Sequence, residues 1–457
     1  MRRGYQPPLL YRQVKRQVRR RVLHLTPPQA LILSFVGLSL LGAVLLKLPM
    51  ASHAPTSWMQ ALFTAVSAAT ITGLTVLDVG SHFTLFGQWV VLGLIQLGGI
   101  GLLTFGVLII HLTSGRLTLR NRAAMQDAFN QSGSIDLQHL LRVLFGFIVL
   151  TELLGTFLLA TQWVPEMGWS AGLFYSFFHA VSAFNNAGFG LASNSLAAYV
   201  DNPLVNLVIS FLFISGGIGF AVIADLRARK RFHELTLNTR LMLIGTVAIN
   251  LIAMLVLLLL EYGNPDTLGA LHGWGAKLWA SWFQAVAPRS SGFTTVDTAA
   301  LRPVSAFFIM MLMFIGAGSG STGGGIKLTT FIILLVATRA FLRQQKVPVV
   351  LGRSIETAMI VRALAITLIA VLCVVTGTFI LMLTEDGHFI DLAFEVISAV
   401  STTGLSRGVT PGLSIAGQCM MMVLMLIGRV GPLTLAFMLA NPRGRAIEYP
   451  AGRVNIG

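Results

Sequence analysis

The sequence predicts an all-α membrane protein built from four tandem repeats, each with two membrane-spanning helices and a shorter re-entrant helix between them. Three observations predict this class: the apolar composition, eight long apolar segments, and a glycine motif that occurs four times between them. The 457 residues are 55% hydrophobic and 11% charged, with a mean hydropathy of +0.78. This composition excludes an ordinary soluble protein and indicates a chain that folds in a lipid bilayer.

Eight apolar segments are long enough, or nearly long enough, to cross a membrane, because a spanning helix needs about 20 apolar residues. They cover roughly residues 30–50, 86–112, 140–162, 204–224, 241–261, 304–338, 363–383 and 415–440. We therefore predict eight transmembrane helices.

Basic residues are concentrated on one side of this predicted membrane. The N-terminal arm MRRGYQPPLLYRQVKRQVRRR and the segments 113–142, 225–240, 338–362 and 441–457 hold 25 of the 32 Lys and Arg residues. The opposite loops carry Glu166, Asp201, Asp266, Glu385 and Asp386. Because Lys and Arg in short loops stay on the cytoplasmic side, both termini are expected to be cytoplasmic. Topology explains the net charge of +15, which gives little reason to propose nucleic-acid binding.

A motif of 14 residues recurs four times between alternate spans. Its copies are LFTAVSAATITGLT (62–75), FFHAVSAFNNAGFG (177–190), WFQAVAPRSSGFTT (282–295) and AFEVISAVSTTGLS (393–406). Each copy runs to a single glycine, and the third is one residue shorter before it, which leaves its register open by one. The apolar part of about 13 residues makes a helix of about 20 Å, too short for a hydrocarbon core of about 30 Å. Each copy is therefore expected to enter from outside, stop near mid-depth and return.

Four such loops are most economically placed around one axis, because non-helical backbone at membrane depth needs protein or a water-filled path around it. The short helices then direct their partially negative C-terminal ends to the axis, which favours a cation. Glycine also lets consecutive carbonyl groups face inward. The prediction is eight transmembrane helices and four re-entrant pore helices around one central ion pore. A secondary transporter of a small solute and a purely structural or receptor bundle are the alternatives.

The segments TITGLT, FNNAGF, RSSGFTT and STTGLS resemble the motifs of a superfamily of potassium transporters that includes the bacterial Trk and Ktr membrane subunits and the plant HKT proteins. The resemblance covers residues from about 30 to 440 and is closest to the Ktr membrane subunits. With it, the chain divides into a basic cytoplasmic arm (1–29), repeat 1 (30–112), a loop (113–137), repeat 2 (138–226), a loop (227–240), repeat 3 (241–338), a loop (339–358), repeat 4 (359–440) and a cytoplasmic tail (441–457).

The resemblance implies a potassium filter at the four motif glycines and the two residues before each. These residues are Ile71, Thr72 and Gly73; Asn186, Ala187 and Gly188; Ser290, Ser291 and Gly292; and Thr402, Thr403 and Gly404. Some sodium-selective relatives have serine in place of the first glycine, so its retention favours potassium. K⁺ at the filter is the one metal ion expected. No catalytic residue is predicted, because the sequence lacks H-E-x-x-H, G-x-S-x-G and a clustered carboxylate pair, and the chain is not expected to be an enzyme.

Residues 315–327, IGAGSGSTGGGIK, place six glycines inside the predicted span 304–338. They do not match the phosphate-binding pattern G-x-x-x-x-G-K-[ST], and their flanks are membrane helix, not a βαβ unit. Because glycine costs roughly 1 kcal/mol relative to alanine in a helix, the cluster is expected to unwind the span. The resemblance implies an intramembrane gating loop at residues 316–326, with Arg429 in contact with it.

The predicted gate consists of Gly316, Gly318, Ser319, Gly320, Ser321, Thr322, Gly323, Gly324, Gly325, Lys327 and Arg429. For two of these residues a simpler interpretation stays open. Lys327 can be an ordinary interfacial lysine, and Arg429 can extend to the cytoplasmic face.

Charged residues near the predicted pore have two interpretations. Asp78 and Asp297 each follow a motif glycine by five residues and are expected at the outer mouth, where acidic groups raise the local cation concentration. Solvation of a loop is the alternative. Arg289 lies three residues before Gly292, where an unpaired positive charge would repel a cation, and Glu395 is its predicted partner.

The resemblance also implies partners and a location. We expect a homodimer in the bacterial cytoplasmic (inner) membrane, docked through basic segments on a cytosolic ring of nucleotide-binding, KtrA-like regulatory subunits. No cofactor is expected on this chain: K⁺ is the transported ion, Na⁺ an activator, and ATP, ADP or another nucleotide binds the partner. Cys373 and Cys419 are predicted to be buried free thiols.

Overall fold

A computed structural model describes residues 27–112, 137–229 and 231–431. The predicted tail at 441–457, most of the predicted arm at 1–29 and most of the predicted loop at 113–137 lie outside the described residues. The last part of predicted repeat 4, residues 432–440, lies outside them as well.

The described chain is mostly helical. Its α-helices are α1 Pro27–Leu46, α2 Trp58–Ala69, α3 Val79–His82, α4 Leu85–Leu112, α5 Leu137–Met167, α6 Trp169–Phe184, α7 Pro203–Gly217, α8 Phe220–Ala228, α9 Leu237–Glu261, α10 Trp274–Val286, α11 Pro303–Phe314, α12 Leu328–Leu342, α13 Thr357–Thr384, α14 Phe389–Val400 and α15 Ile415–Val430. A small antiparallel hairpin of β1 Val349–Val350 and β2 Arg353–Ser354 lies between α12 and α13. The predicted all-α class is confirmed apart from this hairpin.

Each of the eight predicted spans coincides with a helix or a helix pair. Among the described residues, three helices are long and apolar enough to cross a membrane: Arg142–Met167, Leu237–Glu261 and Thr357–Thr384. α7 and α8 meet the same condition together, although they are bent by 93°. Five further apolar helices have described parts of 10–17 residues. The structure therefore has several apolar spans, and the full set of eight crossings stays a prediction.

The four motif copies form the short helices α2, α6, α10 and α14. The first begins with a capping box, in which the Ser57 hydroxyl accepts the Gln60 N–H at 3.2 Å and the Gln60 amide oxygen accepts the Ser57 N–H at 2.9 Å. Every copy has a fully buried phenylalanine in its second position: Phe63, Phe178, Phe283 and Phe394. Because lipid tails are as apolar as these rings, close van der Waals packing is what holds them in place.

Helix packing joins the four repeats in a closed order. In each repeat the short helix packs against the long helix before it, in the pairs α1–α2, α5–α6, α9–α10 and α13–α14. The next helix of each repeat packs against the short helix of the following repeat, in the pairs α4–α6, α7–α10, α11–α14 and α15–α2. Since the last of these pairs returns to the first repeat, the short helices are brought toward one another.

Two helix pairs are interrupted at glycines. Between α7 and α8 the chain bends at residues 218–219, where Gly219 has a φ of 102°. Between α11 and α12 lie residues 315–327, so the predicted interruption of the span 304–338 is present. The 93° bend between α7 and α8 falls inside residues 204–224, which the sequence predicts as one continuous span.

The two cysteines are free, but neither is fully buried as predicted. Cys373 is half-buried, whereas Cys419 is exposed. The prediction is wrong for Cys419 because α15 turns that side chain away from the protein interior.

Candidate functional site

The four segments that follow the short helices share one backbone conformation. The second residue before each motif glycine has a positive φ: Ile71 52°, Asn186 58°, Ser290 77° and Thr402 46°. The glycines themselves have φ values of 90° (Gly73), 71° (Gly188), 69° (Gly292) and 88° (Gly404). Isoleucine and threonine rarely adopt this region, so its recurrence at the same place indicates a constrained loop shape. The shared pattern also aligns the third copy, whose register the sequence left open by one residue.

The four glycines meet around a common centre. A Cβ atom on each would contact a backbone oxygen of the next copy: on Gly73 the oxygen of Ala187, on Gly188 that of Ser291 at 2.9 Å, on Gly292 that of Thr403 at 2.7 Å, and on Gly404 that of Thr72. The order runs through the four copies and returns to the first. We call these glycines, with the residue before each, the glycine ring. A side chain at any of the four glycines would collide with the neighbouring loop, so glycine is required there.

Backbone amides of the ring donate back into the short helices. The N–H groups of Thr72, Ala187 and Thr403 bond to the oxygens of Ser67, Ser182 and Ser398 at 2.8, 2.9 and 2.9 Å, and that of Ser291 bonds to the oxygen of Ala287 at 3.0 Å. The hydroxyls of Ser67 and Ser398 also accept the N–H groups of Gly73 and Gly404, at 3.1 and 3.0 Å. Because the amides are occupied in this way, oxygens are the backbone groups that the loops present to one another.

A cavity of about 320 Å³ opens on one side of the glycine ring. All four ring glycines line it, together with residues that follow them in the chain: Thr75, Val76, Leu77, Asp78, Val79, Phe189, Gly190, Ala192, Ser193, Ser195 and Pro411. We call it the ring cavity. The cavity therefore borders the ring on the side of the residues that follow the glycines.

The two aspartates predicted for the outer mouth are placed differently. Asp78 lines the ring cavity, but its carboxylate also caps α3 by accepting the N–H groups of Gly80 and Ser81 at 2.8 and 3.1 Å. Asp297 is exposed and accepts the N–H of Ala299 at 2.9 Å. The structure therefore brings Asp78, and not Asp297, to the cavity.

His82, which ends the helix that Asp78 caps, has a lowered pKa. His82, at the end of α3, lies 2.9 Å from the Thr56 hydroxyl. Burial, and to a lesser extent the neighbouring His53, lower the pKa of His82 below its ordinary value. The histidine is therefore neutral at pH 7.

Residues 315–327, which we call the glycine loop, pack against the other side of the ring. The Thr322 hydroxyl lies 2.6 Å from the side-chain amide of Asn186. A Cβ atom on Gly323 would lie 3.0 Å from the Cβ of Ser290, and one on Gly324 would contact the Thr402 hydroxyl. The glycine loop thus contacts three of the four loops at the residue two before the ring glycine.

The glycine loop is closed at its base. The N–H of Gly316 bonds to the oxygen of Ile326 at 2.9 Å, and the N–H of Ile326 to the oxygen of Phe314 at 3.2 Å. The Lys327 ammonium donates to the oxygen of Gly323 at 2.7 Å. Lys327 therefore stabilises the glycine loop through this hydrogen bond.

Close packing explains why the loop is rich in glycine. Gly316, Gly318, Gly323 and Gly324 are buried, and a Cβ atom on any of them would come within 3.0 Å of another atom. Gly320 and Gly325 have φ values of 64° and 72°, which favour glycine. The hydroxyl of Ser319 lies 3.2 Å from that of Thr329, and Ser321 is buried with its hydroxyl unbonded within the described residues.

The bend between α7 and α8 holds one side of the glycine loop. The N–H of Gly318 bonds to the oxygen of Gly217 at 2.7 Å, and the N–H of Phe220 to the oxygen of Gly320 at 2.9 Å. The N–H of Thr322 bonds to the oxygen of Gly216 at 3.3 Å. At the bend, backbone N–H and C=O groups that a straight helix would pair within itself are free to bond to the glycine loop.

Arg429 holds the loop from the opposite side. Its side chain is 4% exposed, and its Nη1 donates to the oxygen of Thr322. Its Nη2 donates to the oxygens of Gly98 and Gly99 on α4 at 2.5 and 3.3 Å, and the guanidinium lies 5.7 Å from the centre of the Phe35 ring. Arg429 therefore bridges the glycine loop to α4 from a buried position.

The predicted pair of Arg289 and Glu395 is wrong. Arg289 Nη1 donates to Asn250 Oδ1 at 3.1 Å, and within the described residues no ion pair joins it to Glu395. Glu395 instead accepts bonds from the segment after the fourth ring glycine. The carboxylate is satisfied inside its own repeat, so it is unavailable to the arginine.

A buried polar cluster beside the second loop was not predicted. The Asn185 amide donates to Gln96 Oε1 at 2.7 Å and to Glu152 Oε1 at 3.1 Å, and Gln96 donates to Glu152 Oε2 at 3.1 Å. The cluster supports the residue directly before Asn186. Glu152 is the acidic residue within the predicted span 140–162, and a carboxylate in a spanning segment is a signal that could have indicated it.

Comparison with known proteins places this arrangement in a family. A family model described as TrkH, cation transport protein, matches residues 26–449, and the chain belongs to the TrkH family of cation transport proteins, which is a family of transporters and not a class of enzymes. Over 432 residues it is 49% identical to the Ktr system potassium uptake protein B of Bacillus subtilis, covering 94% of this chain and 97% of that protein.

Other relatives agree with this assignment. The Vibrio alginolyticus protein of the same name is 43% identical over 94% of this chain and 95% of its own. The potassium/sodium uptake protein NtpJ of Enterococcus hirae is 34% identical over 97% and 99%. The crystal structure of the potassium transporter TrkH from Vibrio parahaemolyticus has the same fold, with a TM-score of 0.68 at 20% identity over 89% of this chain and 83% of that one.

Proposed function

We propose that this chain is the ion-translocating membrane subunit of a potassium-uptake system of the Ktr type. The observation that carries the proposal is the glycine ring, where backbone oxygens of four equivalent loops converge and glycine is sterically required at each. The relatives in B. subtilis and V. alginolyticus are named potassium uptake proteins. Four repeats, with eight crossing helices and four re-entrant helices, surround one central pore, in keeping with the closed order of helix contacts.

The ring selects K⁺ by replacing its hydration shell with carbonyl oxygens. The oxygens of Thr72, Ala187, Ser291 and Thr403 are the groups that lie against the neighbouring glycines. The C-terminal ends of the short helices add a partial negative charge that favours a cation at the centre. The side chains differ from copy to copy, so the ring lacks fourfold symmetry and provides fewer well-defined ion sites than a symmetric tetrameric channel.

Rescue of a potassium-uptake-deficient bacterium tests the transport function. Wild-type chain, co-expressed with a KtrA-like partner, should restore growth at micromolar to millimolar potassium. Gly73→Ser should reduce the preference for K⁺ over Na⁺, because its Cβ would displace the oxygen of Ala187. Gly93→Ala is the matched control, since a Cβ there meets no atom within 4 Å. Failure of the wild type to rescue, or unchanged selectivity in Gly73→Ser, would refute the proposal.

The glycine loop is the proposed gate. It contacts three of the four loops and is held by Arg429 and by the bend between α7 and α8, so it lies across the path through the ring. Deletion of residues 317–325 should raise the basal K⁺ flux into vesicles without changing the preference for K⁺. A well-folded deletion variant with no flux would instead make the loop part of the conduction machinery.

Regulation is proposed to come from a partner. The chain acts as a homodimer in the bacterial inner membrane, with both termini cytoplasmic, on a cytosolic KtrA-like ring that binds the nucleotide. Its relatives belong to a named Ktr system, and one is named a potassium/sodium uptake protein, which supports sodium activation. In vesicles, K⁺ flux should respond to ATP and ADP only when the partner is added, and to external Na⁺. Equal nucleotide sensitivity without the partner would contradict this assignment.

A further inference from the structure

One position in each short helix carries a buried polar residue that the transport mechanism above does not use. It follows the buried phenylalanine of each motif copy and is occupied by Thr64, His179, Gln284 and Glu395. Each of the four is at most 1% exposed. Because a buried polar side chain is costly without hydrogen bonds, its recurrence in four copies of one helix requires a physical reason.

We call the seven residues that follow each ring glycine the post-ring segments (residues 74–80, 189–195, 293–299 and 405–411). In the second, third and fourth copies these side chains lie against the post-ring segment of their own copy. Gln284 Nε2 donates to the oxygen of Val296 at 3.2 Å. His179 Nε2 lies 3.3 Å from the place where a Cβ of Gly190 would be, and it has no partner within the described residues. The hydroxyl of Thr64 is also without a partner there.

Glu395 makes the most complete set of these bonds. Its carboxylate accepts the hydroxyl of Ser406 at 2.6 Å, the N–H of Arg407 at 2.9 Å and the hydroxyl of Thr410 at 2.5 Å. Hydrogen bonds to a carboxylate are roughly twice as strong as neutral ones. Arg407 is held further by Asp391, at 2.5 Å. The fourth post-ring segment is therefore fixed along most of its length.

We propose that in the third and fourth copies this position anchors the post-ring segment to its short helix, and that Glu395 is a positioning residue for ion selectivity. The inference rests on the proposed function, because it assigns Glu395 to the selectivity of the ring. Glu395 does not reach the ring itself. It acts through residues 406–410, which continue directly from Gly404.

The anchoring bonds differ among the four copies, and so does the share of each copy in the lining of the ring cavity. Residues of the first and second post-ring segments line most of the cavity, whereas the third and fourth copies contribute only Gly292, Gly404 and Pro411. Arg407 also donates to the oxygens of Thr298 and Leu301, at 2.9 and 3.3 Å, which ties the fourth copy to the third. Copies 3 and 4 are thus linked to each other through Arg407 as well as to their own short helices.

Glu395→Gln tests the inference, because glutamine keeps the size of the side chain and loses the charge and one acceptor. We expect the KM for K⁺ to rise about tenfold and the preference for K⁺ over Na⁺ to fall by a similar factor, as the loss of one bond to a charged group implies. A merely structural role would lower the amount of folded protein and Vmax and leave KM and the ion preference unchanged. Transport of ⁸⁶Rb⁺ with Na⁺ as competitor measures both quantities. Thr378→Val is the control, since this buried hydroxyl on α13 has no partner within the described residues.

Variants at Thr410 keep the inference testable if Glu395→Gln does not fold. Thr410→Val should raise KM, and Thr410→Ser, which restores the hydroxyl, should return it to the wild-type value. Wild-type KM and ion preference in both Glu395→Gln and Thr410→Val would overturn the inference while leaving the proposed function intact. Absence of K⁺ transport by the wild type would instead be a failure of the proposed function.

Discussion

Gly404 shows at the scale of one residue how strictly the ring is packed. Its φ is 88°, and a Cβ atom on it would contact the oxygen of Thr72 and lie 3.0 Å from the Cα of Gly73. A left-handed conformation alone costs alanine about 1–2 kcal/mol, and the contact would push the first loop away. We therefore expect Gly404→Ala to reduce K⁺ uptake by about tenfold or more, measured as ⁸⁶Rb⁺ flux per folded protein.

Gly37→Ala is the matched control for this prediction. Gly37 lies on α1, is exposed, and would place its Cβ in open space. Uptake should stay at the wild-type level, and thermal stability should rise slightly because alanine favours a helix by roughly 1 kcal/mol. Wild-type uptake by Gly404→Ala would show that the ring tolerates a side chain.

Asp78 combines two roles that substitution can separate. It lines the ring cavity and caps α3 through the N–H groups of Gly80 and Ser81. Asp78→Asn keeps an oxygen for the cap but removes the charge, whereas Asp78→Ala removes both. If the charge attracts cations, both variants should raise the KM for K⁺ several-fold at low ionic strength, and salt should reduce the difference.

The melting temperature tests the role of Asp78 as the N-cap of α3, independently of any effect on transport. Loss of an N-cap costs about 0.5–2 kcal/mol, so only Asp78→Ala should lower the melting temperature. A wild-type KM in Asp78→Asn at low salt would assign this residue to the cap alone. Because burial and His53 keep the pKa of His82 below its ordinary value, the result should not change between pH 7 and pH 8.

At the scale of elements, the bend between α7 and α8 supports the glycine loop through backbone hydrogen bonds. Gly219 has a φ of 102°, and a Cβ on it would lie 2.5 Å from the oxygen of Ser319. Gly219→Ala should therefore displace the glycine loop and raise the basal K⁺ flux in vesicles without a partner. Gly146→Ala on α5, whose Cβ meets nothing within 4 Å, should leave that flux unchanged. A basal flux in Gly219→Ala equal to that of Gly146→Ala would contradict the proposed support.

The elements also show what sequence reasoning can reach. Long apolar segments and a repeated glycine motif can be read directly from the sequence. The helices, the four short copies and the interruption at 315–327 could therefore be predicted. The positive φ of Ile71 could not, because isoleucine gives no local signal for it and only contacts among four copies impose it. The partners of Arg289 and Glu395 were also missed, since each is set by three-dimensional packing. Asn250, which bonds Arg289, comes from α9.

At the scale of the whole molecule, the four repeats in the sequence suggest a ring of four similar units. The helix contacts close that ring. The helix after each ring segment packs on the short helix of the next repeat, and α15 returns to α2. A cyclic arrangement of four unequal copies in one chain allows each copy to differ, which four identical subunits cannot do. The unequal anchoring of the post-ring segments and the presence of the glycine loop in the third repeat are two examples of such differences among the copies.

The direction of the chain through the membrane gives a final prediction for the whole molecule. Asp266 and Gln345 are both exposed, and α10, α11, the glycine loop and α12 lie between them. If α10 re-enters and the broken pair α11–α12 crosses, these two positions face opposite sides of the membrane. With Cys373→Ala and Cys419→Ala as the background, an impermeant maleimide should label Asp266→Cys in intact cells and Gln345→Cys only in inverted vesicles, because basic loops stay cytoplasmic. Labelling of both cysteines from the same side would mean that α10 crosses or that α11–α12 turns back at the glycine loop, and either result would remove the loop from the proposed path of the ion.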